Sequence, residues 1–175
     1  NNPHDLKIRV VHEAIKNQKT SDLIDPFKII SLLGDPMIPA VAGIATGIIQ
    51  SESKVMLAGG TQMAAVLAFM SSLKVSFDRI CIGTTSYVTK DENSDLEFLV
   101  RSISPDIPIL SVNPGLGKST KNGLIMYDKG VVKEGVGSGG ALIALILKLN
   151  RSLDRDTFLR NIEEEYERNI ENIMV

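Results

Sequence analysis

The chain has 175 residues, 43% of them hydrophobic, with 19 basic against 21 acidic residues, two histidines and one cysteine. At this length a chain buries about two thirds of its unfolded surface, which sets the expectation of a single domain over residues 1–175. The net charge of −2, with basic residues scattered, speaks against a nucleic-acid backbone or a polybasic membrane patch as partner, and a lone cysteine excludes a disulfide framework or a cysteine-based zinc site.

The chain starts Asn1-Asn2-Pro3-His4 without methionine and is read as a piece of a longer polypeptide or one processed at its start. Neither a secretory leader nor an apolar run of the ~18 residues that span a bilayer is evident, so a cytoplasmic protein is expected. After Pro3, the apolar residues Leu6, Ile8, Val10, Val11, Ala14 and Ile15 fall at helical spacing. Asp25-Pro26 supplies an N-cap and a first-turn proline for a second helix that should stop near Gly34. Asp35 reads either as a helix cap or as a site carboxylate. Met37 to Ile49, rich in alanine and glycine, predicts a buried helix.

Three strand-to-helix units follow. Lys54-Val55-Met56-Leu57 leads through Gly59-Gly60 into a helix over 63–70. Arg79-Ile80-Cys81-Ile82, with a buried thiol expected at Cys81, runs into a Gly83-Thr84-Thr85 loop and then a helix over 96–103. Ile107 to Val112 runs into Asn113-Pro114-Gly115. This alternation predicts a mostly parallel sheet with helices on both faces, a Rossmann-like three-layer α/β/α fold, with ligands beyond the carboxyl ends of the strands. The rim of a site is therefore expected at 58–61, 83–87 and 113–119.

In the last third, Glu134-Gly135-Val136-Gly137-Ser138-Gly139-Gly140 opens an apolar, buried helix. Glycines there permit positive φ and close backbone approach, and unpaired amides at a helix start favour an anion. Glu134 is either a proton acceptor at the lip of that pocket or a carboxylate stabilising the helix dipole. A charged helix from about Asp154 carries a Phe158, Ile162, Tyr166, Ile170 stripe, expected to pack on the domain or a second subunit rather than on a cofactor. Gly115-Leu116-Gly117-Lys118-Ser119-Thr120 has the look of a triphosphate loop, but Val112 stands where the first glycine is needed, leaving Lys118 and Lys121 as exposed loop lysines. His4 and His12 read as surface residues and suggest no metal site.

Taken together, Lys7 to Ile15, Asp25-Pro26 with Leu33-Gly34-Asp35-Pro36, Val55 to Gly60, and Glu134 to Gly139 resemble, in order and spacing, the C-terminal part of the nicotinate-nucleotide:dimethylbenzimidazole phosphoribosyltransferase family, its archaeal relatives above all. The resemblance implies transfer of the 5-phosphoribosyl group from nicotinate mononucleotide to an aromatic base of benzimidazole type, as in making the lower ligand of cobamides. It implies Glu134 as general base, Lys7 on the substrate phosphate, and Gly135, Gly137, Ser138, Gly139 and the Thr84-Thr85-Ser86 loop around ribosyl phosphate and base, with Asp35, Gly59 and Gly60 as further substrate contacts. It also implies a homodimer and no metal or organic cofactor, because the donor carries its own activated bond. The chain departs from bacterial members at Ala58, where they carry aspartate, and at Met37, where they carry glutamate; the family's other glycine-rich segment precedes Lys7. The competing expectations are a non-catalytic nucleotide-binding homologue and, last, an NTP-binding protein using Lys118 and Ser119.

Overall fold

The computed structural model describes residues 4–16, 18–19, 23–91, 94–131, 135–150 and 152–170. Three strands, β1 (Val55–Ala58), β2 (Ile80–Thr85) and β3 (Ile109–Val112), form one parallel sheet in the order β1-β2-β3, flanked by helices in a Rossmann-like α/β fold. β2 pairs with β3 from Ile82 opposite Ile109 to Thr85 opposite Val112. Gly83-Thr84-Thr85 is thus strand rather than loop. Threonine suits a pleated surface, and the buried ladder partner outweighs the loop character of Gly-Thr-Thr. β3 starts at Ile109, later than the apolar run suggests, because Pro108 has no N–H for the ladder; its carbonyl still accepts from Ile82 N at 2.9 Å.

The helices are α1 (His4–Ile15), α2 (Pro26–Leu33), α3 (Met37–Gln50), α4 (Thr61–Ser72), α5 (Ser86–Thr89), α6 (Leu96–Ile103), α7 (Asn122–Asp128), α8 (Ser138–Lys148) and α9 (Arg155–Asn169). Asp25 caps α2 by accepting from Phe27 N at 2.9 Å, Gly34 ends that helix, and Asp154 caps α9 through Thr157 N. α7 is an addition to the sequence expectation. It is short, and Gly123 in its first turn breaks the apolar period.

The chain divides into two compact units: Asn1–Val55, Thr61–Cys81 and Asp95–Ile107 in the first, Met56–Gly60, Ile82–Ser94 and Pro108–Val175 in the second. In the first, α4 is the central helix, with Met63, Ala64, Val66, Leu67, Phe69 and Met70 all buried between α3 and α6; each such large side chain contributes about 1.5–3 kcal/mol. Phe27 of α2 meets Phe69 edge to face at 5.5 Å. Two expectations fail here. α3 is buried only at Ile38, Ala42 and Ala45, where it packs chiefly on α4, while Ile44 stays 65% exposed. Cys81 is half-buried rather than buried, and desolvation raises its thiol pKa while Lys54 opposes the shift. In the second unit, Gly139, Gly140, Leu142 and Ile143 of α8 are buried and the helix packs on β3. Leu145 and Leu147 remain exposed, so α8 too is buried on one side only.

Candidate functional site

The site is built in the second unit at the carboxyl end of β2, where the glycine-rich turn delivers α8. Gly135 has φ +70°, a conformation that L side chains avoid. The turn that follows closes on itself: Ser138 N donates to Gly135 O, Gly139 N to Val136 O and Gly140 N to Gly137 O, at 3.0–3.1 Å. The amides expected to be unpaired at this helix start are therefore taken by the turn, and the amide-lined anion pocket read from the sequence is not formed by these three groups. What the glycines achieve is approach. A Cβ on Gly139 would overlap the Thr84–Thr85 peptide, and one on Gly140 would meet Ala58, so α8 rests directly on the ends of β1 and β2, the close helix–strand packing that glycine permits.

Beside this contact lies a cavity of about 460 Å³, within the range of small-molecule sites. Thr85 at the end of β2 and Gly135, Ser138, Gly139 and Leu142 of the turn and α8 form one side. Leu116, Leu124 and Tyr127 from the loop and α7 form the second, and Phe158, Ile162 and Tyr166 of α9 the third. Of the α9 stripe, expected to pack on the domain or on a second subunit, Phe158, Ile162 and Tyr166 wall this cavity, while Ile170 stays exposed. Among its described lining residues no side chain is charged.

Two polar clusters hold the walls. Tyr87 Oη donates to Asp128 Oδ1 at 2.6 Å, and its ring meets Tyr127 edge to face at 5.5 Å. Desolvation, then the bond to Asp128, raise the Tyr87 phenol well above its ordinary pKa, so it stays a donor. On the other side Glu163 Oε1 of α9 accepts from Ser119 Oγ at 2.7 Å, from Thr120 N at 2.6 Å and from Thr120 Oγ1 at 3.0 Å, while Lys121 Nζ pairs with Glu167 Oε1 at 2.5 Å. The segment that imitates a triphosphate loop is instead a short 3-10 turn over Leu116–Lys118, tied to α9. Ser119 is buried and its hydroxyl engaged, and Lys121 is ion-paired rather than an exposed loop lysine.

Of the residues singled out in the sequence, Thr85, Gly135, Ser138 and Gly139 come together around the cavity. Gly59, Gly60, Thr84, Ser86 and Gly137 belong to the same unit but do not line it: Gly59 N extends the ladder to Gly83 O at 3.0 Å, Gly60 lies against Val136, and Gly137 against the Ala58 carbonyl. Lys7 on α1 and Asp35 ahead of α3 belong to the first unit. Asp35 Oδ1 accepts from Met37 N at 2.8 Å, just ahead of α3, whose N-cap position is Pro36. Glu134 lies outside the described residues; Gly135, next in the chain, lines the cavity. Tyr127, Phe158 and Tyr166 were missed as site residues. The signal available was the apolar spacing of α9, which by itself does not tell a packed stripe from a ligand wall. Among the described residues no cluster of histidine, cysteine and carboxylate side chains is placed to hold a metal ion, and no helix is long and apolar enough to cross a membrane.

No family model matches the chain. It is 44% identical over 169 residues to a UPF0284 protein of Methanopyrus kandleri, covering 95% of this chain and 43% of that protein. It is 40% identical over 167 residues to a UPF0284 protein of Archaeoglobus fulgidus, with 95% and 44% covered, and 42% identical over 145 residues to one of Methanosarcina mazei, with 81% and 41% covered. The chain spans less than half the length of these curated relatives. Over most of its own length, then, it is similar to part of the archaeal UPF0284 proteins.

Proposed function

We propose that the chain carries the base-binding and catalytic part of a phosphoribosyltransferase that moves the 5-phosphoribosyl group from nicotinate mononucleotide to a benzimidazole-type base. The observation that carries this reading is that Thr85, Gly135, Ser138 and Gly139, drawn from two distant stretches of sequence, line one cavity whose other walls are aromatic and aliphatic. An apolar slot with few polar groups suits a flat heterocycle.

In the reaction the lone pair of one ring nitrogen attacks ribose C1′ while the C1′–N bond to nicotinate breaks. That electron pair neutralises the pyridinium nitrogen, and the anomeric centre inverts. The ring N–H proton of the acceptor passes to the carboxylate of Glu134. Because cationic nicotinate leaves readily, the protein's work is alignment of the nucleophile and removal of one proton. The cavity supplies the alignment and its apolar walls keep competing water from C1′.

The test uses the protein at the full length of its relatives, incubated with nicotinate mononucleotide and a panel of benzimidazoles and purines, with products read by mass spectrometry. The parent is expected to form a base ribotide, and Glu134→Gln to lower its rate by about 10²–10⁴ with nucleotide affinity retained. Nucleotide binding without product from any base would replace this reading with a non-catalytic homologue.

A further inference from the structure

The walls of the cavity are not held alike. α8 is anchored by buried Gly139, Gly140, Leu142 and Ile143 and packs on β3. α9 buries none of its 15 residues, and no other described helix or strand runs closely along it. Its apolar residues Phe158, Ile162 and Tyr166 line the cavity itself, so the burial that stabilises an ordinary packed helix, about 1.5–3 kcal/mol for each large side chain, contributes little to keeping it in place. The bonds that join it to the loop after β3 are polar and fall on adjacent turns of the helix: Glu163 Oε1 accepts from Ser119 Oγ, Thr120 N and Thr120 Oγ1, and Lys121 Nζ pairs with Glu167 Oε1. A further contact is steric, for Tyr166 Oη lies where a Cβ on Gly123 of α7 would stand. The chain enters α9 from α8 past Asn150, which holds φ +51°, an element-terminal position of the kind that absorbs a hinge rotation. Elements with few buried apolar side chains open locally at free energies well below that of global unfolding.

We propose that α9 is a lid on the cavity, turning about the connection at Asn150, and that the Glu163 carboxylate received by Ser119 and Thr120 is the latch that holds it shut. The lid exchanges a small set of polar bonds for water when it opens and leaves the packing of α8 on the sheet untouched, so opening and unfolding are separate events. The proposal stands apart from the transferase reading, because it concerns entry to the cavity whatever the cavity takes.

Two neighbours on α8 supply the test. Leu142 is buried and lines the cavity, whereas Ile143 is buried and does not. With the lone native thiol removed by Cys81→Ala, Leu142→Cys and Ile143→Cys are made separately in the full chain, and their alkylation by iodoacetamide under native conditions is followed by mass spectrometry. Position 142 is expected to label at least tenfold faster than position 143, since lid opening exposes the first and only unfolding exposes the second. Adding Glu163→Gln is expected to speed labelling at 142 about tenfold more, the difference between bonds to a charged and to a neutral acceptor. Gly123→Ala, whose added methyl displaces the Tyr166 phenol while favouring the α7 helix, is expected to act in the same direction and replaces the glutamine variant should that one fail to fold. Equal rates at 142 and 143 in every background would overturn the proposal, because the cavity would then open only as the unit unfolds. Fast labelling at 142 that the α9 substitution leaves unchanged would overturn it equally, making α9 a fixed wall of a permanently open cavity.

Discussion

At position 139 a single methyl group separates a formed site from a broken one. Gly139 lies so close to the Thr84–Thr85 peptide that any side chain would have to displace backbone rather than a flexible neighbour. Gly139→Ala is expected to destabilise the protein by about 3 kcal/mol, at the upper end of overpacking costs, read as a lowered midpoint in urea unfolding. Gly135 is a different case: nothing lies within reach of an added Cβ, and only its φ of +70° resists substitution. Gly135→Ala should therefore cost about 1 kcal/mol. The order of the two costs, not their absolute size, distinguishes close approach from backbone conformation as the reason for each glycine.

Among the elements, α9 depends for part of its attachment on a titratable group. The Ser119 hydroxyl, then the Thr120 amide and hydroxyl, hold the Glu163 carboxyl below its ordinary pKa. A lowered carboxylate pKa in the folded state means that stability is present above the unfolded value and is lost as the pH falls through the folded one, here below about pH 4. Denaturant unfolding of the parent and Glu163→Gln from pH 7 to pH 2.5 should show the parent more stable at neutral pH and the two curves converging in acid; parallel curves would show that the carboxylate charge contributes nothing to holding α9. Such element-level detail was only partly legible in the sequence. The cap at Asp25 and the helical apolar pattern of α4 announced those helices because the signals are local. The pairing of Ser119 with Glu163, 44 residues away, leaves no local trace, and neither does the turn that consumes the amides before α8. Thr85 was legible as a site residue from its place at a strand end as well as from the family resemblance; that its hydroxyl lacks a partner among the described residues is a property of packing, invisible in one dimension.

For the whole molecule, the amount of apolar surface left in water is the property with the widest reach. In the first unit Ile8 is 55% exposed, Phe27 60% and Ile44 65%, and α3 carries no charged residue over its 14 positions. Monomeric proteins rarely leave such faces uncovered, and the relatives are more than twice as long as this chain. Light scattering of the 175-residue chain at rising concentration is expected to show association, suppressed by Ile44→Glu with little change in melting temperature. A monodisperse monomer throughout would show that the face tolerates water.

The interleaved make-up of the second unit sets a schedule for its birth. Its strand ends come from residues 56–60, 82–94 and 108 onward, and the third wall of the cavity is contributed by Phe158, Ile162 and Tyr166, which leave the ribosome after every other lining residue. A nascent chain halted before α9 carries Thr85, Leu116 and Leu142 with one side of their pocket open to solvent, and with Ser119 and Thr120 lacking the carboxylate that receives them. Competence to hold a ligand is thus reached only once α9 has been made, and a chain halted between α8 and α9 carries an apolar trough in place of a binding site.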